Sequence, residues 1–139
     1  MSDNSHDAMP WVLTAVALTV KKNDLDPDSV TDRLGLRPSA VRMPGIDRWN
    51  PEGDPAGQWR LQCDERTTRV FSEQLGTILR VAEECADTLA ILRAEGCEVT
   101  ITVRGFADND SRILLSADEL ARASRLKIPL AFIPNLNSR

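Results

Sequence analysis

The sequence holds no tyrosine, a single histidine and no long apolar run, and each shortage removes a class of function. His6 lies in the polar leading stretch. Serine–histidine and cysteine–histidine nucleophile pairs and histidine-based metal sites all need a positioned imidazole, so these chemistries fall away with it. No stretch approaches the roughly 18 unbroken apolar residues that a membrane span requires. Met1 to Asp7 lack the basic start and apolar core of a secretory signal, so the chain reads as cytoplasmic with no membrane partner. The glycines follow neither the P-loop nor the dinucleotide-binding spacing, so no phosphate cradle is written into the chain and no cofactor is implied.

What is present describes one ordinary domain. A chain of 139 residues can bury roughly two-thirds of its unfolded surface without disulfides or metals. Cys63, Cys85 and Cys97 are odd in number, widely spaced and set in apolar patterns, which fits reduced core thiols rather than a disulfide framework or metal cage. The formal net charge of −4 argues against binding nucleic acid through overall charge.

A strand is expected over Trp11 to Val20, with Val12, Val16, Leu18 and Val20 on one face and Leu13, Ala15 and Ala17 on the other. Both faces are apolar, so this strand belongs at the sheet centre. A helix over Pro27 to Leu34 has both ends written in: Asp26 as N-cap, Pro27 in the first turn and Gly35 as the left-handed stop, with Leu36 folding back. Residues 37–57 carry so many prolines and glycines that they read as a long loop. Strand two, Gln58 to Cys63, alternates, with Trp59, Leu61 and Cys63 inward. Apolar residues recurring at three and four from Val70 to Glu95 give one long helix, or two meeting near Glu84. Strand three, Glu98 to Arg104, sets Val99, Ile101 and Val103 inward. The polar turn Ala107 to Ser111 leads to a short strand at Arg112 to Leu115. Ser116 and Glu119 form a capping box for a helix through Arg125, and Leu130 to Ile133 make a last strand that Pro134 stops. Residues 1–10 and 135–139 read as disordered tails around a single domain over 11–134.

This order gives an α+β domain of the ferredoxin-like plait kind. Two βαβ halves are joined by a long helix, and the helices lie on one face of a mixed, mainly antiparallel sheet. The other sheet face is open and polar, carrying Gln58, Arg60, Gln62, Thr100, Thr102 and Arg104. An open face must meet solvent, the 37–57 loop or another chain.

The leading strand, the run Asp24-Leu-Asp-Pro with Val30 and Thr31, Leu34-Gly-Leu-Arg-Pro38, the Gly57-Gln-Trp-Arg-Leu61 strand and Leu115-Ser-Ala-Asp-Glu-Leu120 together resemble the bacterial domain-of-unknown-function 4279 family, over Val12 to Ile133. The resemblance implies a small α/β domain with no assigned activity and no catalytic residues to carry over. Its company among small bacterial proteins suggests a protein-binding role such as toxin neutralisation.

Three acidic groupings are weighed against plainer readings. Asp24, Asp26 and Asp28 have the opening spacing of a calcium loop, but Ser29 replaces its glycine and Gly35 its closing glutamate, so a helix cap is expected. Asp108, Asn109 and Asp110 have the composition of a hairpin turn. Asp47, Glu52 and Asp54 are the carboxylates that an enzyme or small-molecule reading would use. No metal site is expected.

Trp59 and Phe71 belong to the core pattern. Trp49 lies beside Arg48 and near Arg42 in the breaker-rich loop, which is the composition of an interface anchor, although packing the loop onto the domain is the favoured role for it. The candidate binding residues are thus Arg42, Arg48 and Trp49 in the loop with Arg60 and Arg104 on the open face. The expected partner is a protein, or a second copy meeting sheet to sheet. RNA is disfavoured because the outward positions offer no aromatic stacking platforms.

Overall fold

The computed structural model of the chain describes residues 9–46, 48–108 and 110–136. Of the expected tails 1–10 and 135–139, residues 1–8, with His6, and 137–139 lie outside the described residues, as do Asp47 and Asn109. The elements are β1 (Met9–Pro10), β2 (Val12–Lys22), α1 (Pro27–Leu34), β3 (Ala40–Arg42), β4 (Gly57–Asp64), α2 (Phe71–Glu84), α3 (Ala86–Ala94), β5 (Glu98–Ala107), β6 (Ser111–Arg112), α4 (Ala117–Leu126) and β7 (Leu130–Leu136). Five strands form one sheet in the order β3-β4-β2-β5-β7, and β1 pairs with β6 in a separate short ladder.

The α+β class and the mainly antiparallel sheet follow the sequence reading. β2 is central and antiparallel to both β4 and β5, β3 is antiparallel to β4, and only β5 and β7 run parallel. Of the two expected βαβ halves the structure therefore holds one, β5-α4-β7. The expected first half does not close from β2 through α1 onto β4, which is an antiparallel neighbour of β2; α1 leads instead to β3, which runs parallel to β2 with β4 between them, and β4 and β5 are likewise parallel about β2.

Helix α1 has the expected bounds. The Asp26 carboxylate accepts from the Asp28 amide at 3.1 Å, and Gly35 at φ 69° donates its N–H to the Thr31 carbonyl. Leu36 folds back against the core. The apolar period between Val70 and Glu95 is two helices, broken at Cys85, which closes α2 and opens α3. The capping box at Ser116 and Glu119 is formed in both directions, at 3.1 and 2.8 Å.

One side of the sheet meets all four helices. Val16, Leu18 and Val20 of β2, Trp59 and Cys63 of β4, and Val99, Ile101 and Val103 of β5 share one buried cluster with Val30 and Leu34 of α1, Leu75, Ile78 and Leu79 of α2, Leu89 and Leu92 of α3, and Ala123 of α4. Trp59 donates its indole N–H to the Thr31 hydroxyl at 3.0 Å. That bond satisfies the one polar atom of the largest core side chain.

The strand ends differ from the sequence reading for identifiable reasons. In β2 the register slips between Val12 and Ala15, where Leu13 takes φ 54°. The extra residue of this bulge turns Val12 to the side of its partner Phe106, away from Thr14 and Val16, reversing the side expected for Val12. Residues 37–57 contain the strand β3, too short to show a period. The expected strand at Arg112 to Leu115 shrinks to β6, because its partner β1 offers only Met9 and Pro10, two residues first read as tail. Pro134 does not stop β7. That strand is at the sheet edge, where a residue without an N–H is tolerated, and pairing continues through Leu136.

Candidate interaction surface

The sheet register builds the opposite face row by row, since residues opposite each other on paired strands point the same way. Arg42, Gln58, Lys21 and Glu98 make the first row, and Ala40, Arg60, Thr19 and Thr100 the second. Gln62, Ala17, Thr102 and Ala131 make the third, and Asp64, Ala15, Arg104 and Ile133 the fourth. All four helices lie on the other side, so this face is uncovered by them. Its centre is low. Ala17 and Thr19 on the middle strand are only 4% and 7% exposed, because they are short and flanked by the longer side chains of β4 and β5.

Apart from Glu98, exposed in the first row, the charges on this face fall into two groups. The first is satisfied internally. Asp54 pairs with Lys21 and lies 3.7 Å from the Arg42 guanidinium, and it accepts from the Ala56 amide at 3.0 Å. Its carboxyl is held below the ordinary value, chiefly by the Lys21 ammonium. Arg42 also donates through Nε to the Ala56 carbonyl at 3.0 Å. These contacts clasp the β3–β4 loop to the first row. Gly57 lies inside the clasp, where a Cβ would approach the Leu25 carbonyl oxygen to 2.6 Å. At the opposite end Asp64 accepts from Arg66 and Gln62.

The second group is unanswered. Among the described residues no carboxylate pairs with Arg60 or Arg104, and their guanidinium groups make no hydrogen bond. The Arg60 Nε is shut off from solvent and has no acceptor.

The β3–β4 loop supplies the apolar component. Trp49 is 83% exposed, Ile46 75% and Met43 62%, and Arg48 stacks over the Trp49 ring at 5.1 Å from its centroid. This reverses the expectation that Trp49 packs the loop onto the domain: the loop is held by Arg42, Asp54 and Gly57 instead. Met43 and Ile46 were not singled out from the sequence, and Asp54 was read only as a candidate carboxylate, because a loop has no period to mark its inner and outer positions.

The structure thus brings Arg60 and Arg104 to one face, gives Arg42 a fastening role and projects Arg48 with Trp49 from the loop beyond the first row. Of the three carboxylates for an enzyme reading, Asp54 is engaged in the clasp, Glu52 is exposed and Asp47 lies outside the described residues. The Asp108–Ser111 segment closes as a turn, with the Ser111 amide donating to the Asp108 carbonyl at 3.0 Å. Cys63 and Cys97 are buried and Cys85 half-buried, and burial pushes all three thiols up.

Among the described residues no helix is long and apolar enough to cross a membrane. A family model described as a domain of unknown function, DUF4279, matches residues 12–137. No curated protein and no solved structure matches the chain.

Proposed function

The chain belongs to the DUF4279 family, whose description carries no activity, and from the surface described above we propose that it is a cytoplasmic protein-interaction domain. It binds through the open sheet face and the loop carrying Met43, Ile46 and Trp49. Neutralising a toxin is one role open to such a domain. The observation that carries the reading is the 83% exposure of Trp49, on a loop fastened beside an uncovered polar sheet. Tryptophan exposed on a held loop is a preorganised anchor, since its large area is removed from water only when a partner arrives.

Site-specific photo-cross-linking in cells of the native source tests this. A photoreactive residue at Thr102 or Ile46 is expected to capture the same protein, and one at Asp87 on α3 is expected to capture none. Capture of a second copy of this chain from Thr102 would identify the sheet-to-sheet homodimer as the partner. No product at Thr102 or Ile46, or equal products at all three positions, would refute the reading.

A further inference from the structure

The two unanswered arginines say what kind of segment the sheet face takes, and this inference rests on the interaction-domain reading. We propose that the face reads carboxylates, with Arg60 and Arg104 each taking one acidic side chain of an extended partner segment that crosses the sheet obliquely. Four residues of β2 separate the row of Arg60 from that of Arg104, roughly 14 Å along the strand, and two strand spacings add roughly 10 Å across, so the two arginines lie roughly 17 Å apart.

An extended chain covers that span in about four to six residues, and only an even spacing turns both acidic side chains to the same side. The reach of the two arginine side chains takes up the remaining few ångströms. Between them lie the low positions Ala17 and Thr19, over which a backbone can pass. Thr100, Thr102 and Gln62 beside this path can hydrogen-bond its peptide groups.

Charge sets the partner's sign. Lys21 and Arg42 are answered by Asp54 and Asp64 by Arg66, and Glu98 stands exposed in the first row, off the path from Arg60 to Arg104, while Arg60 and Arg104 are answered by nothing among the described residues. The Arg60 Nε–H, closed off from solvent without an acceptor, is a cost that the free protein bears and a carboxylate relieves, and the exposed Arg104 guanidinium offers a charged fork to a second carboxylate. The same arginines could meet nucleic-acid phosphates, but the face between them presents Ala, Thr and Gln where base stacking needs aromatic rings.

The test is a titration of isotope-labelled full chain, followed by amide chemical shifts. The probes are a short unstructured peptide with two glutamates four residues apart, its glutamine counterpart, and a single-stranded RNA oligomer. The glutamate peptide is expected to shift amides of β2, β4 and β5 around Thr19, Arg60 and Thr102, and to bind at least about tenfold more tightly than the glutamine peptide. Arg60→Gln and Arg104→Gln should each remove most of that preference while leaving the spectrum otherwise folded.

Equal binding of the two peptides at this face would overturn the carboxylate reading and leave the interaction surface standing. Tighter binding of the RNA, or no shift at the face with any probe, would also overturn it. The cross-linking at Thr102 decides the interaction reading separately.

Discussion

Thr14 and Gln74 are joined inside the protein by a reciprocal pair of hydrogen bonds. The Thr14 hydroxyl donates to Gln74 Oε1 at 2.7 Å, and Gln74 Nε2 donates to the Thr14 carbonyl at 2.9 Å and to the Thr68 carbonyl at 2.8 Å. Gln74 is fully buried. Thr14 lies on the helix side of β2 with Val16, next to the bulge at Leu13, and Gln74 ties that point to α2 and to the turn before it. Gln74→Leu removes all three bonds and leaves two carbonyls and a hydroxyl without partners, so it should destabilise the domain by about 2–4 kcal/mol. Thr14→Val removes one bond and should cost about 1–2 kcal/mol. Urea unfolding of the two variants checks the order, and equal losses would show that the network does not act through Gln74.

Two glycines are required for different reasons. Gly35 is left-handed at φ 69° with open space where a Cβ would stand, whereas a Cβ at Gly57 would approach the Leu25 carbonyl oxygen to 2.6 Å. Gly35→Val should therefore cost about 1–2 kcal/mol from backbone strain, and Gly35→Asn clearly less, because asparagine tolerates this conformation. Gly57→Ala should instead loosen the clasp made by Asp54 and Arg42, detectable as faster amide exchange over the β3–β4 loop. Thermal melts of the Gly35 pair that do not separate Val from Asn would refute the strain argument.

What could be read in advance and what could not divides along physical lines. Asp26, Gly35, Ser116 and Glu119 act on their own few neighbours, so their helix ends were legible. Trp59, Leu61 and Cys63 alternate within one strand, so their side was legible too. Pairing direction was not: nothing near α1 records that β2 and β4 run antiparallel, because the intervening 37–57 segment has no period and hides β3. The open face was legible as Gln58, Arg60, Thr102 and Arg104. The bulge at Leu13 was not, since it depends on β5 across the sheet. Trp49 had two readings, of which packing was favoured, and the fold of the fastened loop leaves it 83% exposed instead.

Asp64 gives the domain an acid-dependent contact. Arg66 foremost, then Gln62, hold its carboxyl down to about 2 from an ordinary 3.8. A carboxylate whose folded pKa is depressed adds stability above its unfolded value, and that stability is lost as pH falls through the folded value. The window here runs from about pH 4 down to about pH 2. Arg66 is exposed, so Arg66→Ala should lower stability at pH 7 only slightly, and the difference should vanish below about pH 2. Carboxyl NMR should show Asp64 of the variant titrating closer to the ordinary value. An unchanged midpoint would assign the shift to Gln62 instead.

Trp49 and Trp59 provide the sharpest contrast in the chain. Trp59 is fully buried and donates to Thr31 at 3.0 Å, while Trp49 is 83% exposed. Trp59→Ala removes a large core side chain and its cross-link to α1, and should cost about 3–5 kcal/mol. Trp59→Phe keeps most of the volume but leaves the Thr31 hydroxyl without its donor, so its loss should be smaller and should shrink further when combined with Thr31→Val. Trp49→Ala should change stability by no more than about 0.5 kcal/mol, because the loop is fastened by other residues. If Trp49 anchors a partner, the same substitution should remove the cross-linked product captured from Thr102. Denaturation and cross-linking on one set of variants thus separate the two roles: a folded Trp49→Ala that still yields the product would show that the sheet face binds without the loop, and a Trp49→Ala that unfolds early would return the residue to the packing role favoured for it from the sequence.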